Sequence, residues 1–261
     1  IKDEKPVLPI QEDETALVIV ALWEYYLKTK DIDFIEMHYN DVIKKSATFL
    51  ANFIDRETGL PLPSYDLWEE KHGTTTFTSC TVFAGLVASA KFAKLFGKDL
   101  DEQLFKETAE TMRQAIIKYL YDPSLKMFVK LVNKKDGEMV YDTTIDMSSI
   151  YAVYEYGVLP VTDPLITESI KTIEEKLRIN TGIDGVPRYT GDKYYLQTPD
   201  IANPWYITTL WLAQYYARTA KELSDLDQVK HWLNWVVVHS PQSGVLSEQL
   251  HPFTGLQLSA T

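Results

Sequence analysis

A short polar stretch, residues 63–70, combines acidic and aromatic side chains. It contains Asp66, Glu69 and Glu70 beside Trp68. A sugar packs its C–H faces against aromatic rings and forms hydrogen bonds between its hydroxyl groups and carboxylates, so this mixture suits a carbohydrate ligand. A loop that is merely charged and solvated has a similar composition, and both interpretations stay open on composition alone.

A second candidate carboxylate, Glu248, lies near the end of the chain after the glycine-containing residues 244–246. Hydrolysis of a glycosidic bond uses one protonated carboxyl group, which assists the leaving oxygen, and one ionised group, which activates water or attacks directly. Like-charge crowding by Asp66 and Glu70 favours the protonated form of Glu69, as a general acid requires. The separation of the two carboxyl groups decides between inversion (roughly 6.5–9.5 Å) and retention (about 5–5.5 Å), and the sequence leaves both open.

Other common chemistries lack their motifs. The chain has no glycine-rich phosphate loop, no H-E-x-x-H helix and no G-x-S-x-G elbow. Its 5 histidines are scattered without the spacing of metal ligands. The single cysteine, Cys80, excludes an intrachain disulfide. We therefore expect no transition metal and no cofactor.

The charge balance bears on the partners. With 37 acidic and 26 basic residues, the net charge of -11 repels phosphate groups, so we expect neither nucleic acid nor a membrane as a partner. The longest apolar run, residues 16–23, is shorter than the roughly 20 residues of a membrane span, and the absence of a visible signal peptide favours the cytoplasm. Because the chain begins with Ile1 and ends at Thr261 after a loop-like stretch, we expect a piece of a longer protein, whose further segments would be its partners.

Two kinds of predicted helix alternate along the chain. One kind carries one apolar stripe and one charged face, as in residues 34–54, and is predicted to form an outer layer. Pro164 and Pro204, each preceded by a capping residue, predict two helix starts. The other kind is apolar on nearly all sides and is predicted to be buried as an inner layer. They are residues 16–27, 82–96, 145–156 and 204–217.

The links that follow the outer helices are unusually long, on the order of twenty residues each. In a ring of antiparallel inner and outer helices, these links would all emerge above the N-termini of the inner helices, which is the predicted active face. One link is predicted to form a β-hairpin from residues 127–132 and 138–141. The pattern predicts a mainly α fold, an α/α barrel. An α-solenoid is the alternative, but its repeats of about 34–47 residues are shorter than the roughly 60–70 residues between inner helices here.

Five stretches, taken in order, resemble glycoside hydrolase family 15, the glucoamylase and glucodextranase family. The D-L-W-E-E and S-E-Q motifs are fairly specific as a pair. The resemblance implies an (α/α)6 barrel that hydrolyses α-glucosidic bonds of oligosaccharides or polysaccharides from the non-reducing end, with inversion, and releases β-glucose. The stretches are residues 11–14, residues 65–70 with Gly73 and residues 77–78, and residues 187–189, 203–206 and 244–249.

The resemblance also implies a role for each site residue. It makes Glu69 the general acid and Glu248 the general base. Asp66 would support the acid. The resemblance makes Glu70 and Arg188 ligands of the sugar, and Trp68 and Trp205 aromatic walls of the pocket.

Three of these positions have a structural alternative. For Arg188 it is a surface salt bridge, and for Trp205 it is core packing. Tyr189 is compatible with substrate binding and with packing alike.

The chain also departs from the family pattern. The family barrel has six helix pairs, whereas about four are recognisable here, and the family's Arg-Asp pair before Gln11 and its Trp-Ser-His helix after Thr261 are absent. We therefore expect residues 1–261 to be one partial catalytic domain with exposed apolar helix faces. Three linkages stay open: α-1,4, α-1,6 (as in glucodextranase) and the α-1,1 bond of trehalose. A non-catalytic carbohydrate-binding or regulatory barrel, or a purely structural helical scaffold, is the alternative from another class.

Overall fold

A computed structural model of the protein describes residues 10–259, so Ile1 and Thr261 lie outside the described residues. The chain divides into two compact units. Unit 1 contains the described residues up to Tyr121, together with Leu131–Asp142 and Tyr156–Val158; unit 2 contains Asp122–Lys130, Thr143–Glu155 and the described residues from Leu159 onward. One domain over residues 1–261 stays a prediction.

The helices of unit 1 pack around one buried helix. Helix α4 contacts both α1 and α5, and Gly85 of α4 lies so close to α1 that a Cβ atom there would be 3.1 Å from the Cβ atom of Ala16. Small residues on both helices therefore permit this close packing. The helical segments are α1 (Glu12–Thr29), α2 (Ile32–His38), a π-helical turn (Tyr39–Lys44), α3 (Lys45–Asn52), α4 (Thr76–Leu95) and α5 (Asp99–Leu120).

Helix α4 is long and apolar enough to cross a membrane by length and composition, with 20 residues and a mean hydropathy of 1.2. In the structure, however, 83% of this apolar window is buried. Core helices of globular proteins pass the same test, so the feature is weak support for a membrane span.

Helix α1 is less buried than predicted. Val18 and Tyr25 are 51% and 38% exposed, while Ala16 and Ile19, which lie away from this face, are fully buried. Leu27, near the C-terminal end of the helix, is 42% exposed. The expectation that α1 is covered on most of its faces is therefore wrong, because within unit 1 it packs mainly against α4 and α3. Its exposed stripe is an apolar helix face of the kind expected for a partial barrel.

Short strands connect the helices. Four of them form an antiparallel sheet in unit 1, in the order β1-β2-β5-β6. A hairpin forms around Asp136 and Gly137, both of which have positive φ angles (53° and 85°), as this tight turn requires. Its second strand is β6, as predicted, but its first strand is β5 (Leu131–Lys135) and not residues 127–132. Residues 127–128 instead form β4, which belongs to a separate two-stranded sheet. The strands are β1 (Ser64–Tyr65), β2 (His72–Thr75), β3 (Tyr121–Asp122), β4 (Met127–Phe128), β5 (Leu131–Lys135), β6 (Glu138–Asp142), β7 (Gln249–Leu250) and β8 (Gln257–Leu258).

Unit 2 repeats the alternation of buried and amphipathic helices. Its α6 packs against α7 and α8, and α8 packs against α9. Asp163 caps α7 by accepting a hydrogen bond from Leu165 N, which confirms that predicted start. The helices are α6 (Met147–Glu155), α7 (Pro164–Lys176), α8 (Tyr206–Thr219), a 3-10 turn (Leu223–Leu226) and α9 (Asp227–His239).

The start predicted for α8 at Pro204 is wrong. Trp205 has extended backbone angles (φ -108°, ψ 144°), and α8 begins at Tyr206. The reason is a long-range pairing, since Trp205 forms β-bridges to both Val186 and Gln249. A local capping signal is overridden here by strand-like hydrogen bonds to distant segments.

Candidate active site

The loop of residues 66–71 in unit 1 is organised by Asp66. This side chain is buried, and its Oδ1 accepts hydrogen bonds from the backbone N–H groups of Glu70 (2.8 Å) and Lys71 (3.0 Å). The Asp66 backbone closes the same turn, because its N–H donates to Lys71 O and its carbonyl accepts from Glu69 N. Strands β1 and β2 hold the two ends of the loop. Asp66 is therefore placed to support the segment that carries Glu69.

Glu69 occupies an unusual backbone conformation in this loop. Its φ angle is +57°, a left-handed conformation that is uncommon for residues other than glycine. Such positions cluster at functional sites, where the surrounding structure holds them in place. Glu69 and Glu70 are both exposed, whereas Trp68 is half-buried. The loop thus presents two carboxylates and an indole within three consecutive residues.

Sequence reasoning missed a pair of buried carboxyl groups at the N-terminus of α1. Glu12 is 1% exposed and Asp13 is 2% exposed. Burial raises the pKa of Glu12 to about 7, partly offset by the Ser64 hydroxyl, and burial raises the pKa of Asp13 to about 6, with a further contribution from Asp66. The acidic loop therefore lies beside acids that favour their neutral forms. The sequence signals for them are the acidic character of residues 11–14 and the place of that stretch among the five that resemble the family.

These buried acids predict a pH-dependent stability. Their pKa values are higher in the folded than in the unfolded state, so the free energy of unfolding falls as the pH rises from about 4 to about 7. We expect E12Q, which stays neutral, to reduce that fall by about 2–3 kcal/mol. Urea unfolding at pH 4.5 and pH 8 measures the change. The exposed Glu24 of the same helix provides the control E24Q; equal pH slopes in E12Q and wild type would refute the account.

Glu248 in unit 2 lies on a segment that pairs with the start of α8. Its carbonyl accepts a hydrogen bond from Tyr206 N (3.1 Å), and Leu250 N donates to Pro204 O (2.9 Å). The Glu248 side chain is half-buried, and its Oε2 accepts a hydrogen bond from the Ser259 hydroxyl. Both the backbone and the carboxylate of Glu248 are therefore held in a defined position.

Arg188 is buried in unit 2, with an exposure of 4%. Its Nε and one terminal nitrogen donate to the two carboxylate oxygens of Asp192, both at 2.7 Å. Its guanidinium carbon lies 4.7 Å from the ring centre of Trp205 and 5.1 Å from that of Tyr194. The surface salt bridge considered for Arg188 is therefore wrong. Trp205 is also buried, and it packs against this cation rather than only against apolar core.

Tyr189 covers a second buried cation. The Nζ atom of Lys130 lies 3.7 Å from the Tyr189 ring centre and 3.1 Å from Oδ2 of Asp146. Asp146 also accepts hydrogen bonds from the backbone and the hydroxyl of Ser148. Lys130 and Asp146 were not identified from the sequence, because they are 16 positions apart and neither belongs to a recognised motif.

The structure thus distributes the predicted residues over both units. Unit 1 brings together Asp66, Trp68, Glu69 and Glu70 in one loop. Unit 2 collects the remaining residues around the N-terminal end of α8: Arg188, Tyr189, Trp205 and Glu248, with Asp192, Tyr194 and Ser259 added by the structure. The spacing of Arg188 and Asp192 was visible in the sequence, but nothing local indicated that the pair is buried.

The buried pair of Arg188 and Asp192 predicts a large effect of D192N. Removing the charge of Asp192 takes a bidentate carboxylate partner away from a buried guanidinium, so we expect stability to fall by about 3 kcal/mol and the KM for substrate to rise. Urea unfolding and initial-rate kinetics measure the two changes. The exposed pair of Lys230 and Asp227 provides the control D227N, for which we expect less than about 1 kcal/mol. A D192N protein as stable as D227N would contradict the prediction.

Within residues 10–259, no group of three or more His, Cys, Asp or Glu side chains has the geometry to hold a metal ion. The carboxylates of Asp66, Asp146, Asp192 and Glu248 accept hydrogen bonds from backbone N–H groups, hydroxyls or basic side chains.

Comparison with solved structures defines the fold. A bacterial glucoamylase in complex with acarbose superposes with a TM-score of 0.78 and 19% sequence identity, over 97% of this chain and 38% of that one. The glucoamylase of Saccharomycopsis fibuligera superposes with a TM-score of 0.70 and 16% identity, over 96% of this chain and 66% of that one. The fold is therefore that of the glucoamylase (α/α)6 barrel, of which this chain forms a part.

The sequence assigns the family. Residues 5–261 match the family model of glycosyl hydrolases family 15, and the chain belongs to that family. It is 30% identical to an uncharacterized glycosyl hydrolase of Methanocaldococcus jannaschii over 96% of this chain, and 27% identical to trehalase 2 of Sulfolobus acidocaldarius over 95% of this chain. The chain spans 39% and 38% of the lengths of these two relatives.

Proposed function

We propose that the protein is an inverting, exo-acting glycoside hydrolase that releases β-D-glucose from the non-reducing ends of α-linked glucosides. The observation that carries the proposal is the fixed loop of residues 66–71, in which Asp66 holds the turn that carries Glu69. An exposed carboxyl group on a fixed turn, next in sequence to an indole, suits a general acid at a sugar site. Membership of glycosyl hydrolases family 15 supports the same chemistry.

In the proposed mechanism, Glu69 donates its proton to the glycosidic oxygen as the bond to the anomeric carbon breaks. Glu248 removes a proton from a water molecule, and the oxygen of that water attacks the anomeric carbon from the opposite face. The hydrogen bond from Ser259 favours one orientation of the Glu248 carboxylate. Each reaction consumes one water, and Glu248 ends protonated while Glu69 ends ionised, so protons exchange with solvent before the next turnover.

The substrate-binding part of the proposal concerns Arg188 and the aromatic side chains. The Arg188 cluster provides a buried cation whose position is fixed by Asp192, with the rings of Tyr189, Tyr194 and Trp205 around it. Such a surface binds hydroxyl groups through the guanidinium and sugar C–H faces through the rings. Glu70 and Trp68 serve the same purpose in the loop of residues 66–71.

The linkage is tested by comparing three substrates. We expect a starch-type oligosaccharide, maltoheptaose, to give the highest kcat/KM, ahead of isomaltose and trehalose. A trehalase is the second candidate, because trehalase 2 of Sulfolobus acidocaldarius is 27% identical over 95% of this chain. A higher kcat/KM for trehalose than for maltoheptaose would favour a trehalase over the starch-type glucosidase. Oligosaccharide binding without hydrolysis of any of the three would instead favour a non-catalytic binding or regulatory barrel.

A further inference from the structure

Asn203 joins two loops of unit 2. Its Nδ2 donates one hydrogen bond to the carbonyl of Tyr195 (2.9 Å) and one to Oε1 of Gln249 (2.7 Å). Asn203 is 2% exposed and Gln249 is fully buried. The first bond reaches the loop of residues 192–202, which follows Arg188, and the second reaches the segment that contains Glu248.

On the Gln249 side, the bond restrains the orientation of Glu248. Gln249 pairs with Trp205 as a β-bridge, and successive side chains of an extended segment point to opposite faces. Glu248 and Gln249 therefore project in opposite directions. A bond that holds the Gln249 side chain limits rotation of the segment about its axis, and so restricts where the Glu248 carboxylate points.

On the Tyr195 side, the bond anchors the loop that supports Arg188. Tyr195 has a positive φ angle of 51°, and its carbonyl also accepts a hydrogen bond from Gln197 Nε2 (2.7 Å). The preceding residue, Tyr194, donates its backbone N–H to Asp192 Oδ1 (2.9 Å). Asp192 in turn holds the Arg188 guanidinium. Arg188 is thus connected to Asn203 by hydrogen bonds through Asp192 and by the backbone of Tyr194 and Tyr195.

We propose that Asn203, through Gln249, is a positioning residue that couples the loop of residues 192–202, which carries Asp192 and Tyr194 of the Arg188 cluster, to the segment carrying Glu248. The inference deepens the proposed function and rests on it, since it treats Glu248 as the general base. Ordering of the loop by a bound sugar would then also order the base. Asn203 acts through Gln249 and touches no reacting atom.

The test compares N203A, Q249M and the double variant of the full-length protein by steady-state kinetics. We expect each single variant to lower kcat by about 10–100-fold, because small misplacements of catalytic groups have effects of this size. We expect the double variant to lose no more than either single one, since both break the same connection. Effects on kcat that multiply in the double variant, or single variants with wild-type kcat, would overturn the proposal.

Hydrogen exchange provides a second readout that does not depend on activity. In N203A and in Q249M, we expect exchange of backbone amides to rise at least about fivefold in residues 192–202 and in residues 244–250 together. The control is S169A, which removes the hydrogen bond from the buried Ser169 hydroxyl to Leu165 O (2.8 Å) on α7. S169A should change neither the amide exchange of these two loops nor kcat. Exchange that rises in one loop only would refute the coupling, whether or not the protein hydrolyses glucosides. An inactive wild type would instead refute the proposed function.

Discussion

Replacing Glu69 by Gln is expected to lower kcat on maltoheptaose by about 1,000-fold, since general acid catalysis contributes roughly 10²–10⁴-fold. The amide cannot protonate the leaving oxygen, but it has the size of the carboxyl group and keeps the turn of residues 66–71. Far-ultraviolet circular dichroism and the urea midpoint should therefore match the wild type. Initial rates of glucose release measure the loss.

A substrate with a leaving group that needs no proton gives the sharpest form of this test. On α-D-glucosyl fluoride, E69Q should lose far less activity than on maltoheptaose, because departure of fluoride depends little on a general acid. The matched control is E107Q, which changes an exposed carboxylate of α5 in the same unit. Equal losses on both substrates would show that Glu69 has another role, and retention of most activity on maltoheptaose would refute its assignment as the acid.

Replacing Glu248 by Gln is expected to lower kcat by a similar factor of about 1,000, but on both substrates. Water must be deprotonated whatever the leaving group is, so a better leaving group does not compensate for the missing base. The amide can still accept the hydrogen bond from Ser259, so the local fold should persist. The same initial rates, measured on maltoheptaose and on the fluoride, test this expectation.

The control for Glu248 is E175Q, an exposed carboxylate on α7 of the same unit. It should have wild-type kinetics. An E248Q protein that loses activity on maltoheptaose but not on the fluoride would exchange the roles of the two carboxyl groups. An E248Q protein with most of its activity would remove Glu248 from the mechanism.

The order of the helices could be predicted from the sequence because it is encoded locally. Apolar residues on all sides of α4, α6 and α8, and one apolar stripe on their partners, are visible in short windows. The same holds for the cap at Asp163 and for the turn between β5 and β6, each of which depends on two or three neighbouring residues. The resemblance to the family added the candidate acid and base.

Features that depend on distant contacts could not be predicted in this way. Helix α8 begins at Tyr206 instead of the predicted Pro204 because Trp205 pairs with Gln249, which lies far along the chain. The exposed face of α1 depends on which elements cover it, and the buried state of Glu12 and Asp13 depends on the packing around the N-terminus of that helix. The connection between Asn203 and Gln249 has no local signature for the same reason. Charge and periodicity describe a segment, but burial is a property of its surroundings.

The anomeric form of the first product tests the central claim most directly. Proton NMR resolves α-glucose from β-glucose, and spectra recorded early, before mutarotation, report the configuration at release. We predict that the first glucose released from maltoheptaose is the β-anomer, because in the proposed mechanism water attacks opposite the bond that breaks. From trehalose the same mechanism gives equal amounts of β-glucose and α-glucose, since the leaving glucose keeps its configuration. Early α-glucose from maltoheptaose would contradict inversion. A folded full-length protein that releases no glucose from maltoheptaose, isomaltose or trehalose would contradict the assignment as an exo-acting glucosidase.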